Sequence, residues 1–561
     1  PSEVTFDNYR CGVHVDARRK IDGWLDVDFD DSAWRTPISV TSPRGEKRLC
    51  EAEPIVKLRE IEPVSIRKSK LVSSPPRADV IEETRGRNII PVLIDRDDGY
   101  LFDFGVNTAG VFRLKIKGEP GQRLVFQMSE RLTDGNADPT NISFFYPEGY
   151  GQRDVYICRG DEEGESFVPP FTYHGFRYIY VSGLKEEQVK ELELTLIELS
   201  SGIKQRCTFQ CSDDVSNQLW TMALRSDRAN FYYFPTDCPH REKNGWTGDA
   251  AISSEHMAMV FDAEKSFREW MRNICKAQNM EGALPGIVPT TGWGFAWGNG
   301  PAWDQVLFEI PYINYKYYGD EKIVRESAPS MLRYLDYLSV NRNEYGLIEL
   351  GLGDWCPLGR EPDDYLTPVG LTDSILSFNM CKKAEFLFNE MALKQQADFA
   401  RSLGKDLWKA IRARYLDPNT LTLEGRCQTA QAMGIYYHIF TRGERHEAYQ
   451  KLLEIIKADG NQMNVGMHGG RVLFHVLSAF GDSELAYEMI TRNDYPSYHD
   501  ILNRGATSLW EMFLPKPQRS GSENHHCWGD LSHWYLKHLA GFNVNPSVHK
   551  PNSILFQPRF I

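Results

Sequence analysis

A switch in the spacing of apolar residues near position 212 constrains the fold of this chain more than any other feature of its sequence. Before the switch, from residue 88 to about 205, apolar and polar residues alternate in short runs such as 111–116. Turns containing Gly and Asp separate these runs, and the combination predicts an antiparallel β-sandwich. Residues 1–87 show a similar β character with more polar breaks and a Ser- and Pro-rich linker at 73–77.

After the switch, apolar residues recur with the 3.6-residue period of α-helices. Val215, Leu219 and Met222 follow the i, i+4, i+7 rule, and Asp213 or Ser212 before them can cap the helix. About twelve helical segments follow, and helical hairpins in this number predict an (α/α)6 toroid of six inner and six outer helices. A superhelical solenoid is the competing arrangement, but no fixed-length repeat supports it.

These patterns divide the chain into four parts. We expect an N-terminal β-rich region with its linker over 1–87 and a β-sandwich over 88–205. The (α/α)6 domain should occupy 206–540, because the helical period persists to that point. Residues 541–561 return to the alternation of strands, so we predict a short C-terminal β segment.

Charge and cysteine usage exclude several classes of protein. Lys and Arg number 64 and Asp and Glu 77, a net charge of −13 that argues against nucleic-acid or anionic-membrane partners. The sequence contains no apolar run of about 18 residues, so we expect no membrane span. The 11 cysteines are scattered without zinc-like pairs, which favours free thiols in a reducing compartment, so we expect a cytoplasmic location. A secreted protein with unpaired surface thiols is the alternative.

The segment 237–249 concentrates chemically active side chains in a loop. Pro239, Gly245 and Gly248 rule out a regular helix or strand there. The loop carries three carboxylates, one guanidinium and one indole, namely Asp237, Glu242, Asp249, Arg241 and Trp246. Such groups are costly on a loop unless they meet a ligand or each other. A capping turn between two helices is the simpler interpretation, but the density of these groups favours a sugar subsite.

Further loops repeat the same mixture of glycine, tryptophan and acid. They lie at 285–304, 351–355, 505–511 and 522–526. A single Trp is more often a core residue than a ligand platform, but the repetition in several loops is typical of a pyranose site. Rings stack on indoles in such sites, and carboxylates hold the sugar hydroxyls.

Glycosidic cleavage is the reaction that such a site supports. Two carboxyl groups flank the bond, one donating a proton to the leaving oxygen and the other activating water or attacking directly. Glu242 lies between Asp237 and Asp249, and Glu511 follows a Trp in a loop far along the chain. Glu523 is the rival base, in a more polar run.

Several of these segments together resemble the α-L-rhamnosidases of glycoside hydrolase family 78. The most specific matches are the run Asp-Cys-Pro…Arg-Glu…Gly-Trp-Thr-Gly-Asp and the run Tyr-Pro-Ser…Arg-Gly-Ala-Thr-Ser-Leu-Trp-Glu. They occupy 237–249 and 495–511. Shorter blocks at 353–355 and 524–525 and the upstream runs 102–110 and 171–178 also match, so the resemblance covers nearly the whole chain.

The resemblance implies an inverting hydrolase that releases terminal α-L-rhamnose from a rhamnose-containing glycoside or oligosaccharide. It makes Glu242 the general acid and Glu511 the general base. The expected substrate-binding residues are Asp237, Arg241, Trp246, Asp249, Trp303, Asp354, Trp355 and His525. We expect neither a cofactor nor a metal at this site.

Three other functions stay open from the sequence. The same toroid could hydrolyse another sugar, because a fold does not fix a substrate. A carbohydrate-binding protein could keep the pocket without activity, although the paired glutamates argue against that. A polysaccharide lyase would need a Tyr or His base and a cation for the uronate, and only Arg241, Lys243 and His525 could serve.

Overall fold

The computed structural model describes residues 2–42, 44–72, 99–143, 151–290, 292, 294–515, 521–544 and 553–561. The predicted linker at 73–77 and the start of the predicted sandwich at 88–98 lie outside these residues. The chain divides into two compact units. One unit comprises 1–51, 59–105 and 111–197, and the other comprises 52–58, 106–110 and 198–561.

The first unit is built on β-strands that pack on one main apolar core and smaller clusters beside it. The strands of the sheet are β1 (Val4–Asn8), β2 (Gly12–Asp16), β3 (Ile55–Ile61), β4 (Ser65–Ser69), β5 (Gly99–Ile116), β6 (Arg123–Ser129), β9 (Arg153–Ile157), β10 (Glu165–Phe167), β11 (His174–Ser182) and β12 (Glu193–Ser201). Two short strands, β7 (Arg131–Thr133) and β8 (Asn136–Asp138), pair with each other beside a helical turn α1 (Thr140–Ser143). Alternate residues of β5, β6 and β11, such as Phe112, Phe126 and Ile179, form the buried core.

The strands form a single ten-stranded sheet in the order β1-β2-β9-β6-β11-β5-β12-β3, with β4 and β10 paired to β5. The register is antiparallel across most pairs, for example Tyr180 opposite Gln127. The prediction of purely antiparallel pairing is wrong at one place, because β2 and β9 run parallel with Val15 opposite Tyr156. These strands are joined by a long stretch of chain instead of a hairpin, so no tight turn fixes their direction.

The second unit is mainly helical. Its helices are α2 (Asp214–Ala229), α3 (Thr247–Val260), α4 (Glu264–Ala277), α5 (Pro301–Asp304), α6 (Val306–Tyr318), α7 (Glu321–Val340), α8 (Val369–Glu390), α9 (Lys394–Tyr415), α10 (Gln428–Tyr436), α11 (Arg445–Ala458), α12 (Met467–Phe480), α13 (Ser483–Thr491), α14 (Tyr498–Asn503) and α15 (Leu531–Trp534), which continues as a π-helical turn, Tyr535–Leu539. Short strand pairs join β13 (Phe231–Tyr232) to β14 (Phe234–Pro235), β15 (Leu416–Asp417) to β16 (Thr422–Leu423), and β17 (Phe542–Val544) to β18 (Ile554–Phe556).

The predicted N-cap of α2, the first helix of the helical unit, is confirmed. The Asp213 carboxylate accepts hydrogen bonds from the backbone N–H groups of Val215 and Ser216. These are donors that have no partner inside the first turn of a helix. Leu219 and Met222 are buried on the inner side of the same helix, as their spacing indicates.

Nearly buried helices alternate with half-exposed ones along the chain. Every residue of α3 is buried, whereas the next long helix, α4, buries one stripe consisting of Ser266, Phe267, Trp270, Met271 and Ile274. The same contrast separates α12 from α13. A helix that is buried all round must be surrounded by other elements, while a helix with one apolar stripe covers them from outside.

The buried helices contact one another in a closed series. Helix α3 contacts α6, α6 contacts α8, α8 contacts α10, α10 contacts α12, and α15 contacts both α12 and α3. The half-exposed helices pack outside them, with α4 against α6, α9 against α8, α11 against α10 and α13 against α12. Each long half-exposed helix therefore lies beside a neighbour that is close in sequence.

Two short segments from the β-rich half of the sequence belong to the helical unit. In the first, the backbone N–H of Glu53 donates to Ser266 Oγ at 3.1 Å. In the second, the backbone N–H of Asn107 donates to Thr507 Oγ1 at 2.8 Å, and its side-chain Nδ2 donates to the carbonyl of Glu523 at 3.1 Å. Among the described residues, no helix is both long and apolar enough to cross a membrane.

Candidate active site

The loop 237–249 is closed at its base by its own backbone. The N–H of Asp237 donates to the carbonyl of Asn244 at 3.0 Å, and the N–H of Asn244 returns to Asp237 Oδ1 at 2.9 Å. Trp246 is the N-cap of α3, whose first turn contains Gly248 and Asp249, so the prediction that the segment contains no regular helix is wrong for its last three residues. Pro239 and Gly245 lie in the tied loop that leads into this fully buried helix.

The two glutamates singled out in the sequence each accept a hydrogen bond from a residue of the segment 237–249. Trp246 Nε1 donates to Glu242 Oε2 at 2.8 Å. Arg241, the residue next to Glu242, reaches across to Glu511 with Nη2 at 3.0 Å from Oε2. The backbone N–H of Ser522 donates to the same Glu511 oxygen at 3.2 Å. Arg241 and Glu511 are therefore in contact although they lie 270 positions apart in the sequence.

The electrostatic environment favours a proton on Glu242. Burial raises its pKa and the charge of Glu511 adds to this effect, against the opposing influences of Arg241 and the Trp246 hydrogen bond. The pKa of Asp237 is raised well above its ordinary value, chiefly by burial and then by the charge of Glu242. Withdrawal from water and the closeness of other carboxylates both disfavour ionisation of a carboxyl group, which explains why the pKa values of Glu242 and Asp237 are raised.

Asp249 and His525 form a buried ion pair beside the glutamates. His525 Nε2 lies 2.7 Å from Asp249 Oδ1. Burial lowers the pKa of His525, but the charge of Glu511 and the bond to Asp249 outweigh it and raise the pKa to about 9. The pKa of Asp249 is lowered, because the hydrogen bond and charge of His525 exceed the cost of its burial. His525 is thus an imidazolium at neutral pH.

Four tryptophans form a continuous apolar wall, which we call the tryptophan wall: Trp246, Trp297, Trp355 and Trp303. Neighbouring rings meet edge to face, with centroids 5.8 Å apart for Trp246 and Trp297, 5.9 Å for Trp297 and Trp355, and 6.1 Å for Trp355 and Trp303. Trp246 also binds Glu242 through its indole N–H. The wall therefore begins at the predicted general acid.

Glycines allow the wall to pack this closely. A Cβ on Gly248, in the first turn of α3, would lie 2.5 Å from Nε1 of Trp303. A Cβ on Gly298 would lie 2.5 Å from Trp246, and the positive φ of +79° also favours glycine there. Any other residue at these positions would push the indoles apart.

Asp354 is turned away from this cluster. Its Oδ1 accepts from the N–H groups of His468 and Gly469, and its Oδ2 accepts from Thr429 Oγ1 and the N–H of Gly466. The four bonds use both oxygens, and they satisfy the free N–H groups at the start of α12. Asp354 therefore caps a helix beneath the wall. The prediction that it contacts a sugar gains no support from this geometry.

The sequence interpretation did not select two side chains that the structure places at the wall. Trp297 joins Trp246 to Trp355 and is 40% exposed, which leaves an indole face toward solvent. The His468 ring lies 5.9 Å from that of Trp303. The run Gly-Met-His-Gly-Gly at 466–470 was the available signal, since glycines around a His permit close approach.

Two groups in this region have the residue types of a metal site, namely Asp249, His525 and Cys527, and Asp237, Cys238 and Glu242. Their closeness already has an explanation in hydrogen bonds, because His525 binds Asp249 and the Cys238 thiol donates to Asp237 Oδ2 at 2.8 Å. Burial raises the pKa of Cys238 well above its usual value. A thiol that keeps its proton is a poor metal ligand.

Two half-buried glutamates, a cationic Arg and His, and the tryptophan wall thus lie close together in the helical unit. The family comparison names the class. Residues 204–539 match the bacterial alpha-L-rhamnosidase 6 hairpin glycosidase domain, and residues 95–199 match the bacterial alpha-L-rhamnosidase concanavalin-like domain. The first match covers more than half of the chain, which belongs to the bacterial α-L-rhamnosidase family.

Individual relatives agree with this membership. An alpha-L-rhamnosidase of Formosa agariphila is 27% identical over 99% of this chain and 58% of its own length. One of Alteromonas sp. is 26% identical over 99% of this chain and 58% of its length. This chain thus spans a little more than half the length of these two relatives.

Solved structures share the fold. The α-L-rhamnosidase from Dictyoglumus thermophilum superposes with a TM-score of 0.84 at 25% identity, covering 97% of this chain and 58% of that one. The Streptomyces avermitilis enzyme, solved in complex with L-rhamnose, gives 0.83 at 23% identity, covering 100% and 51%.

Proposed function

We propose that this protein is an inverting α-L-rhamnosidase that releases terminal α-L-rhamnose from a glycoside. The observation that carries the proposal is the pair Glu242 and Glu511, joined through Arg241 and bordered by the tryptophan wall. The named relatives are alpha-L-rhamnosidases, and one solved relative is complexed with L-rhamnose. The assignments of individual residues below belong to the same proposal.

Glu242 acts as the general acid. Burial raises the pKa of its carboxyl group, which favours the protonated form that a leaving glycosidic oxygen requires. The indole N–H of Trp246 holds Oε2, so the orientation of the carboxyl group is fixed before substrate arrives. The pKa of Asp237 in the same loop is also raised, chiefly by burial, and its carboxylate oxygens accept from other donors, the Cys238 thiol and the Asn244 N–H.

Glu511 acts as the general base that removes a proton from the attacking water. Two donors on separate segments, Arg241 and the Ser522 N–H, hold Oε2 in place. The carboxylate is thereby oriented while its side chain remains 15% exposed, so that water can reach it. The positive charges of Arg241 and of His525 stabilise a site that must hold several carboxyl groups.

The tryptophan wall provides the contact for the sugar. Rhamnose carries a methyl group where most hexoses carry a hydroxymethyl group, and indole surfaces accept a methyl without leaving a hydroxyl unpaired. An apolar contact of this size changes selectivity by about 1–3 kcal/mol. Asp249 and His525, held as a pair, offer charged hydrogen-bonding partners to the ring hydroxyls.

The framework that we propose for this site is the (α/α)6 toroid. Its support is the closed series of contacts through α3, α6, α8, α10, α12 and α15, with half-exposed helices packed outside. For the first unit we propose the β-sandwich, although its described strands are connected in one sheet. The boundaries 88–205 and 206–540 are proposed with them, and the division of the chain near residue 198 lies close to the second start.

Two measurements on the purified protein test the activity. Aryl glycosides of α-L-rhamnose, glucose, arabinose and glucuronic acid are compared for kcat/KM, and we expect the rhamnoside to be cleaved fastest. Proton NMR then follows the first anomer formed, which we expect to be opposite to that of the substrate.

The matched variants are Glu511→Gln and Glu523→Gln. The first should abolish most turnover, while the second changes the rival carboxylate of the same region and should leave turnover nearly intact. Preferred cleavage of another sugar would refute the substrate assignment. A retained anomer would refute the inverting mechanism, and rhamnose binding without cleavage would identify a silent carbohydrate-binding protein.

A further inference from the structure

A second cavity, which we call the basic cavity, lies farther along the same buried helices. It has a volume of about 570 Å³. In α3, Asp249 belongs to the candidate active site and Glu255 lines the basic cavity, while in α12 His468 contacts the tryptophan wall and Ala479 lines the cavity. At 1.5 Å per residue, these separations correspond to about 9 and 16 Å along the helix axes.

The charge of the basic cavity is strongly one-sided. Of the residues that the structure describes, seven Lys and Arg line it, and Glu255 is the one carboxylate among them. Tyr312, Tyr436 and Tyr437 add phenolic side chains to the lining. The whole protein carries a net charge of −13, so a cavity with this composition runs against the overall balance.

The deepest cations are already neutralised. Lys316 Nζ lies 2.8 Å from Glu255, and Arg471 lies 3.3 Å from Glu309 and 3.6 Å from Glu255. Lys383 forms an ion pair with Glu309. The two buried carboxylates, Glu255 and Glu309, are therefore each already paired with two cations.

Three further cations remain without such compensation. Within the described part of the chain, Lys382 and Lys537 have no carboxylate at ion-pair distance, and Arg445 Nε is buried without a hydrogen-bond acceptor. Burial lowers the pKa of Lys537, the charges of Glu255 and Asp530 raise it, and those of Lys316 and Arg471 lower it. Lys537 therefore lines the cavity without an ion-pair partner of its own among the described residues.

Stabilisation of helix ends does not account for these residues. Cations favour the C-terminal ends of helices, where they bind the last carbonyls. Arg559 does so at α12, donating to the carbonyl of Ser478. Lys382 and Lys537 make no such carbonyl contact among the described residues, and their head groups are left facing the cavity.

We propose that the basic cavity is a binding site for a small, multiply charged oxyanion, of the phosphate or sulfate class. Lys382, Lys537 and Arg445 supply charge-assisted donors, and such bonds to oxyanions are about twice as strong as neutral ones. The volume falls within the range of about 300–1,000 Å³ in which proteins bind small molecules. The site lies apart from Glu242 and Glu511, so it is independent of the proposed hydrolysis.

Calorimetric titration of the full chain tests the proposal. Pyrophosphate, inorganic phosphate and sulfate are titrated separately at constant ionic strength, with L-rhamnose as a neutral comparison. We expect at least one of these oxyanions to bind. Comparing the phosphate and sulfate titrations shows which of the two anion classes the cavity prefers. The proposal would be overturned if none of the three anions bound. It would also be overturned if binding disappeared at modestly raised ionic strength and the variants below left it unaltered.

The variants locate the binding. Lys382→Gln and the double variant with Lys537→Gln should raise the Kd of the bound anion, by about tenfold or more for the double variant. Lys409→Gln, an exposed lysine of α9 outside the cavity, is the matched control and should not change it. Equal weakening by the control would show non-specific attraction and refute the site. Lys382 is exposed, so the single variant should fold even if the double variant does not.

Discussion

Glu242, just before α3, and Glu255, within α3, are carboxyl groups that burial affects alike and neighbours affect differently. Withdrawal from water raises the pKa of both. Around Glu242 burial outweighs the lowering by Arg241 and by the Trp246 hydrogen bond, so the pKa stays raised, whereas Lys316 and then other cations take the pKa of Glu255 well below its ordinary value. Burial alone therefore does not decide the direction of the pKa shift. The strength of the neighbouring positive charge also matters, and the stretch from Glu242 to Glu255 contains both outcomes.

The direction of the helices suits this contrast. The first turn of α3 carries Asp249 at the candidate active site, and the first turn of α12, capped by Asp354, brings His468 beside the tryptophan wall. Later turns of the same helices reach the basic cavity. A helix carries partial positive charge at its N-terminus and partial negative charge at its C-terminus, so acids are favoured at one end and cations at the other.

The largest effect that should separate the two regions is on turnover. Glu242→Gln removes the proton donor, so kcat/KM should fall by about 10²–10⁴ for a glycoside with a poor leaving group. The loss should be much smaller for a leaving group that departs without protonation. Steady-state kinetics on both substrates measures this, with Glu523→Gln as the control. Equal losses on both substrates would contradict the acid role.

The corresponding substitution at the basic cavity should affect stability instead of turnover. Glu255→Gln leaves Lys316 and Arg471 with less buried compensation, which should lower the free energy of unfolding by about 3–5 kcal/mol. Turnover per folded molecule should stay within about twofold, because Glu255 lies remote from the chemistry. Urea unfolding and kinetics check both parts, with the exposed Asp336→Asn as control. A loss of turnover with unchanged stability would break the comparison.

The ion pair of His525 predicts a pH dependence of stability. Its pKa is raised from 6.5 to about 9, so the pair stabilises fully below pH 6.5 and this contribution is lost as the pH rises through 9. The full contribution is about 3 kcal/mol at 1.36 kcal/mol per pKa unit.

We therefore expect the gap in unfolding free energy between wild type and His525→Gln to be largest near pH 6 and to shrink by pH 9.5. His446→Gln, at an exposed histidine, should show no gap that varies in this way. A constant gap for His525→Gln would mean that the imidazole contributes packing without charge.

The smallest expected effect concerns the tryptophan wall. Trp355→Ala should raise KM for rhamnosides by about tenfold, within the 1–3 kcal/mol of an apolar sugar contact. Thermal stability should change little, since Trp355 is only half-buried. Trp408→Ala, at a half-buried tryptophan of α9, is the control for a general packing loss. A fall in melting temperature with unchanged KM would show that Trp355 is a core residue.

Local signals made much of the architecture predictable. The change of apolar spacing separated the β-rich part from the helical part, and Asp213 was correctly predicted as a helix cap. The strands at 542–544 and 554–556 lie within the segment expected to return to β structure. Each of these features depends on residues that are near one another in the chain.

Contacts between distant segments were not predictable in the same way. The parallel pairing of β2 with β9 depends on a long crossover that no turn motif announces. The carboxylate of Asp354 looked like a site residue because it precedes Trp355, but its partners are N–H groups more than 110 residues later. The place of His468 beside Trp303 likewise appears only when α12 is packed.

The membership of residues 106–110 in the helical unit bears on how this protein can be dissected for expression. A fragment starting at residue 204, where the family domain begins, would lack Asn107 and the bonds that it makes to Thr507 and Glu523. Those bonds tie the polypeptide on either side of Glu511. A recombinant helical fragment that gives a folded circular dichroism spectrum would still hold Glu511 more loosely, so truncation studies need the upstream strand on the same chain.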